Sequence, residues 1–306
     1  MATSQSHGIP EEFRREFTNT LEHEIQQVKS KFSGHIKIEG FNGKSKVFNS
    51  MDSFEFEPRV GRLPQSAPSE VTLHARQLTK VPFVAQKIFD KFDKENLGDL
   101  GLPDSETIQA MKMAFGRLID KHAAIAADGT VYGGVEPFIT AIDMPAGQTV
   151  PVGYKGPGVT PANTGLNPEK LIAAKKIFAL NEIDITEQEI CLSIDPQGEE
   201  DLMQYVKSAG NDVWAKMISA YLEDPTKKLM GFTVIVSNRN VDAGSNITKC
   251  FAYAKNSGIY MAPEKLEVEM DILPTEQHAL QITAYATLGF MRRFEKSVVM
   301  IPCDRT

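Results

Sequence analysis

The reactive side chains of this 306-residue sequence crowd most closely in RLIDKHAAIAADGTVYGG, Arg117 to Gly134. Asp120, Lys121 and His122 stand side by side there, followed by Asp128-Gly129 and the pair Gly133-Gly134. An aspartate beside a histidine is the material of acid–base catalysis, and a glycine loop can cradle phosphate through its backbone N–H groups. Position within an element decides between those chemistries and a structural role. Ile108, Met111, Phe115, Leu118, Ile119, His122, Ile125 and Ala126 form one apolar stripe, opened by Leu102-Pro103-Asp104-Ser105, and so predict a helix. Successive helical residues project about 100° apart, so the three polar side chains cannot converge on one atom. His122 lies on the stripe and reads as a packed core histidine. DGTVYGG follows its helix, the reverse of the strand, glycine loop, helix order that binds phosphate. Gly129 is expected to close the helix in the left-handed conformation. The segment predicts a structural spine of about 24 residues, ~36 Å at ~1.5 Å per residue.

Elsewhere the chemistry is thinner still. No two of His7, His23, His35, His74, His122 and His278 have the spacing of a metal pair, and no nucleophile elbow, P-loop or dinucleotide fingerprint occurs. Glu199-Glu200-Asp201 and Glu264 to Asp271 read as solvated acidic faces. Arg292-Arg293, between Phe290 and Phe294, is the densest basic pair; it predicts a turn whose arginines bridge to acidic side chains, in this chain or in a neighbour. No catalytic residue, metal or cofactor is expected. With 33 Lys and Arg against 40 Asp and Glu, the net charge of −7 argues against a dedicated nucleic-acid-binding domain. No apolar run approaches the ~18 residues of a membrane span, and MATSQSHGIPEEFRREF lacks a signal core. Cys191, Cys250 and Cys303 are far apart and predict buried free thiols in a reducing cytosol.

Residues 10–32 predict one amphipathic helix, with Phe13, Phe17, Leu21, Ile25, Val28 and Phe32 on one face. That face suits its own domain or a neighbouring subunit. Alternation at His35–Ile38, Phe54–Glu57 and Val71–His74 predicts strands, and Pro58 to Ser69 a tip carrying Arg59 and Arg62. This is a long two-stranded excursion, and a lone hairpin is only marginally stable in water. Asn167-Pro168-Glu169 opens a second helix with an asparagine cap and a proline at the first position. Strands follow at Gln188–Ser193 and Gly231–Ser237, helices at Gly198–Lys207 and Asn211–Glu223, and alternating strands run from Cys250 to the end, with a turn near Arg292 to Lys296.

The order of these elements and several phrases resemble the major capsid proteins of tailed double-stranded-DNA bacteriophages. The phrases are AFGRLIDKHAAIAADGTVYGG, LNPEKLIAAKKIFALNEID, ICLSIDPQGEEDLM, MGFTVIVSN and the run from AYAKNSGIYMAPEKLEVEMDIL to SVVMIPCD. The resemblance implies an α+β, Hong-Kong-97-type capsid fold. In it residues 1–33 are an N-terminal arm, 34–83 an extended E-loop, 84–186 and 276–296 a peripheral domain with a spine helix, and 187–275 and 297–306 an axial domain. It implies hexamers and pentamers of the chain itself, closing into an icosahedral shell around double-stranded DNA held without sequence specificity. Phe13, Phe17, Leu21, Arg59, Arg62, Arg292 and Arg293 are then the expected intersubunit contacts. Some members of the fold crosslink a lysine of the E-loop to an asparagine; Lys44, Lys46 and Lys80 lie in the right region, but no motif assigns partners, and that chemistry is not carried over. No long charged scaffold segment precedes residue 34, so a separate scaffolding protein is expected, with a portal and a decoration protein as further partners and assembly in the host cytoplasm.

The residues support the same picture. An amphipathic arm and an unsupported hairpin are useless in a monomer but can bury more than ~2,000 Å² between subunits. Two other readings compete: an encapsulin-like compartment shell, which would close unaided around an enzyme cargo, and a soluble α/β enzyme, which would stay a small oligomer.

Overall fold

The structure, a computed structural model, describes residues 27–51, 53, 56, 73–89, 104–134, 139–209, 213–224, 226, 228–242, 244, 246–263, 265–276 and 278–305. The predicted spine is helix α1, Asp104–Asp128, 25 residues long. Its buried face is made by Met111, Met113, Ile119, Ala123, Ala124 and Ala127. The alanines let neighbouring strands approach closely, while Ile125, assigned to the stripe, is exposed at 41%. Gly129 corrects another expectation. It is not left-handed; its N–H continues the helical ladder to Ile125 O at 2.7 Å. The left-handed turn falls instead at Gly134, with φ +96°. Gly133 serves a close approach, because a Cβ there would come within 2.8 Å of Ala75 O.

Beside the spine lies a three-stranded antiparallel sheet of β4 (Val81–Phe89), β12 (Lys265–Leu273) and β13 (Ala279–Leu288), in the order β12-β13-β4. Ile282 and Ala284 of β13 pack with Met111 of α1. A second sheet, of five strands, has the order β15-β10-β7-β8, with β9 (Val241–Asp242) beside β10. Its members are β7 (Ile190–Ile194), β8 (Phe232–Val236), β10 (Ile247–Ala254) and β15 (Val298–Asp304). Every residue of β7 is buried, which explains why ICLSI reads as a continuous strand without alternation. β7 and β8 are parallel, so their connection must cross over, and helices α3 (Pro196–Ala209) and α4 (Val213–Glu223) fill it. Helix α2 (Pro168–Leu180) packs Leu171, Ala174 and Phe178 into the same core. Asn167 caps α2 as predicted, its side chain accepting from Lys170 N at 2.8 Å, with Pro168 in the first turn.

The excursion leaves this body as β2 (Ser45–Met51) and β3 (Leu73–Thr79), antiparallel in register from Ser45↔Thr79 to Met51↔Leu73. Its arms therefore lie partly outside the predicted strands; Phe54, Glu55 and Glu57 of the predicted strand, and the tip with Arg59 and Arg62, lie outside the described residues, and Phe56 has no strand structure. Lys37–Ile38, β1, is not part of the hairpin: it pairs in parallel with β11 (Ile259–Met261), which also pairs with β14 (Phe290–Arg292). β5 (Val131–Gly133) and β6 (Thr140–Ile142) make a small ribbon after α1. The helix predicted over residues 10–32 does not extend through its last part, since Gln27–Phe32 have no helical structure. The rest of it, with Phe13, Phe17 and Leu21, lies outside the described residues.

Candidate assembly surfaces

The chain enters the body over α1, and Asp120 is the reason. Its carboxylate is fully buried and accepts from Ser30 Oγ at 2.5 Å, from Lys31 N at 3.1 Å on both oxygens and from Phe32 N at 3.4 Å. Gln27 Nε2 donates to it as well. A buried carboxylate is tolerated only when its lone pairs are filled, and here backbone and side-chain donors fill them. Phe32, next in line, is fully buried and stacks on Phe251 with 5.9 Å between centroids. The segment Gln27–Ile36 is thus fastened to the spine on one side and to β10 on the other. His122, two residues on from Asp120 and so on another face of the helix, lies between Phe83 and Phe290, at 4.9 and 6.4 Å between ring centroids. Burial, with Lys121 nearby, lowers its pKa, so it packs as a neutral ring. Asp120 and His122 therefore face different neighbours, as the helical spacing predicts.

The root of the hairpin is held by charge-assisted bonds. Arg293 donates to Phe48 O at 3.1 Å and Asn49 O at 2.8 Å, while its plane lies over Phe294 at 4.6 Å. Arg76 of β3 grips Glu295 through Nε at 3.3 Å and Nη2 at 3.1 Å to both oxygens. Lys80 reaches Phe41 O at 2.8 Å, and its backbone N–H donates to Lys44 O. Leu78 is fully buried with Tyr260 and Met291, and Phe48 packs edge-on to Tyr260. Away from this root the apolar side chains lose cover: Met51 is 56% exposed and Leu73 69%.

Arg292 and Arg293 correct the expectation of acidic partners. Arg292 is fully buried and donates to Ala127 O at 3.1 Å, Gly129 O at 2.8 Å and Ile142 O at 3.3 Å. These are the carbonyls at the end of α1 and beside β6, so one guanidinium ties β14 to the spine's C-terminus. Burial lowers the pKa of both arginines. Both are buried and engaged within the subunit, on main-chain oxygens that no sequence pattern announces. Phe13, Phe17, Leu21, Arg59 and Arg62 lie outside the described residues. What sequence reasoning missed is Asp120 as an anchor and the Arg76–Glu295 pair; their partners lie 88 to 93 and 219 residues away. The three cysteines are free and buried, as expected. Burial, aided by the Glu189 charge, pushes the Cys191 thiol up to about 12. Among the described residues no helix is long and apolar enough to cross a membrane.

A family model described as phage capsid protein matches residues 9–305 of the chain. No curated protein matches it. Solved structures do. The capsid of cyanophage P-SCSP1u superposes with a TM-score of 0.65 at 16% identity, over 100% of this chain and 97% of that one. The capsid of Ralstonia phage GP4 gives 0.64 at 11% identity, over 100% and 99%. The capsid of Myoviridae phage XM1 gives 0.63 at 10%, over 98% and 100%. At these identities the likeness is one of fold, and the fold is the expected Hong-Kong-97-type arrangement of α+β elements.

Proposed function

The chain belongs to the phage capsid protein family and is a structural subunit, many copies of which form the shell of a virion; on that premise we propose how it builds that shell. Residues 1–33 act as the arm and 34–83 as the E-loop; the arm ahead of the segment anchored by Asp120, and the hairpin past its root, are laid across neighbouring copies. The peripheral unit is the spine with β13 and β14. We add β12 to it, because β12 pairs with β13 along its whole length and makes no pairing with the five-stranded sheet. The axial unit is that five-stranded sheet with its helices, meeting its copies around the five- and six-fold axes. Hexamers and pentamers close around double-stranded DNA with the help of a scaffolding protein and a portal, in the host cytoplasm, and a decoration protein can follow. The subunit performs no catalysis.

The observation that carries this reading is the contrast along the hairpin. Its root is locked by two arginines, while Met51 and Leu73, at the far end of the described arms, leave apolar surface bare. Rigid presentation of uncovered apolar side chains suits a surface completed by another copy. Expression with and without a scaffolding partner, followed by sedimentation and negative-stain microscopy, tests it. Shells, tubes or rings of five and six are expected; a dimer or tetramer that stays small even with the scaffold refutes the reading. Replacing Arg59 and Arg62 with glutamate should leave the subunit folded and impair closure. Normal shells from that variant would remove the tip from the interface.

A further inference from the structure

His35, Glu189 and Cys191 reach one point from two distant parts of the chain. Cys191 lies in β7 and Glu189 two residues earlier, on the same side of the strand. His35 is in the turn just after the segment that Asp120 anchors, with its N–H on Phe32 O at 3.0 Å. The ligand atoms of the three residues all lie within 4.8 Å of one another. His35 Nδ1 is 3.7 Å from Cys191 Sγ. With metal–sulfur and metal–nitrogen bonds of about 2.3 and 2.0 Å, tetrahedral zinc holds such a pair of donors roughly 3.5 Å apart. The histidine–cysteine edge of a tetrahedron is therefore already formed, and a small shift of the Glu189 carboxylate, with its hydrogen bonds kept, supplies the third corner.

Two features around the cluster fit a bound cation. Glu189 accepts one bond on each oxygen, from Lys255 Nζ at 2.9 Å and Thr233 Oγ1 at 3.0 Å, which orients the carboxylate and leaves each oxygen a free lone pair. Tyr253 is buried beside the thiol, and its hydroxyl makes no well-formed hydrogen bond among the described residues. A neutral thiol is a poor acceptor for it. A metal-bound thiolate is a good one.

We propose that His35, Glu189 and Cys191 form a site for one divalent cation of the zinc type, completed by a water molecule, that clips the entry of the N-terminal segment to strand β7. On binding, the sulfur–hydrogen bond breaks, the proton leaves to solvent, and the sulfur bonds to the metal with no change of oxidation state. The Tyr253 hydroxyl then donates to the thiolate. The clip joins residues 154 positions apart in the chain, by subtraction of 35 from 189.

Titration of untagged protein with cobalt(II), with absorption as the readout, tests the site. The expected result is one ion per chain, a thiolate-to-cobalt charge-transfer band, and displacement of the cobalt by zinc. Cys191→Ser should remove the band, and His35→Gln should weaken binding by at least about 10-fold, with far-UV circular dichroism unchanged. Tyr253→Phe should weaken it by about 10-fold and keep the stoichiometry, as a residue acting through the sulfur would. His35 is only half-buried, so its variant reports even if Cys191→Ser does not fold. Absence of stoichiometric cobalt binding, or binding and a band that survive His35→Gln unchanged, overturns the proposal.

Discussion

Asp120 places a carboxylate where water does not reach and surrounds it with donors from the segment Gln27–Phe32. Asp120→Ala strands the buried N–H of Phe32, at about 1–3 kcal/mol, and removes the acceptor of the half-buried Ser30 and Gln27 donors. A fall of roughly 2–3 kcal/mol in the unfolding free energy of the subunit is expected. Proteolysis between residues 27 and 36 should also quicken. An unchanged urea midpoint would refute the anchoring role. Asp201 behaves differently. Burial raises its carboxyl above the ordinary 3.8, and Leu166 N donates to it at 2.8 Å. A raised folded-state pKa favours the protonated form, so this group supports folding below pH 3.8 and loses that support as pH rises through the folded value. Asp201→Asn keeps an acceptor for Leu166 and removes the buried charge. It should raise the urea midpoint at pH 7 and have no such effect below pH 3.8. A gain confined to acid pH would contradict the sign argued here.

At the scale of elements, the hairpin β2–β3 is stable because its root is not a lone hairpin. Arg293 holds β2 through two successive carbonyls, and Arg76 holds β3 through Glu295. A lysine cannot span two carbonyls with a planar fork. Arg293→Lys should therefore release about 1.4 kcal/mol of local protection, a factor of about 10 in hydrogen exchange, and that loss belongs at Lys46–Met51 and its partners across the ladder. Exchange in β7 and β10 should stay as it was. If the whole molecule exchanged faster by the same factor, Arg293 would be a general core residue and no anchor of the hairpin.

At the scale of the whole molecule, the division of labour lies between two sheets and one helix that joins them, with the hairpin projecting. Met51→Asp together with Leu73→Asp is expected to leave the circular dichroism and melting temperature of the subunit nearly unchanged, since surface substitutions stay within about 0.5 kcal/mol. Shell yield by sedimentation should nevertheless fall. Full yield would mean that the distal arms face solvent in the assembled state. Much of the architecture was legible in the sequence for simple reasons. Periodicity marks α1, the Asn167-Pro168 pair marks the start of α2, and short, largely apolar runs without charge mark β7 and β8, because each of these signals is local to the element that carries it. That Asp120 and His122 do not converge on one point followed from helical geometry alone. Tertiary structure decided the rest. Arg292 sits on the carbonyls of Ala127, Gly129 and Ile142, Asp120 on Ser30 to Phe32, and Cys191 beside His35, and nothing in the flanking residues encodes those meetings. Backbone carbonyls and N–H groups are the same at every position, so a side chain that binds them leaves no pattern in sequence until the chain has folded and brought them within reach.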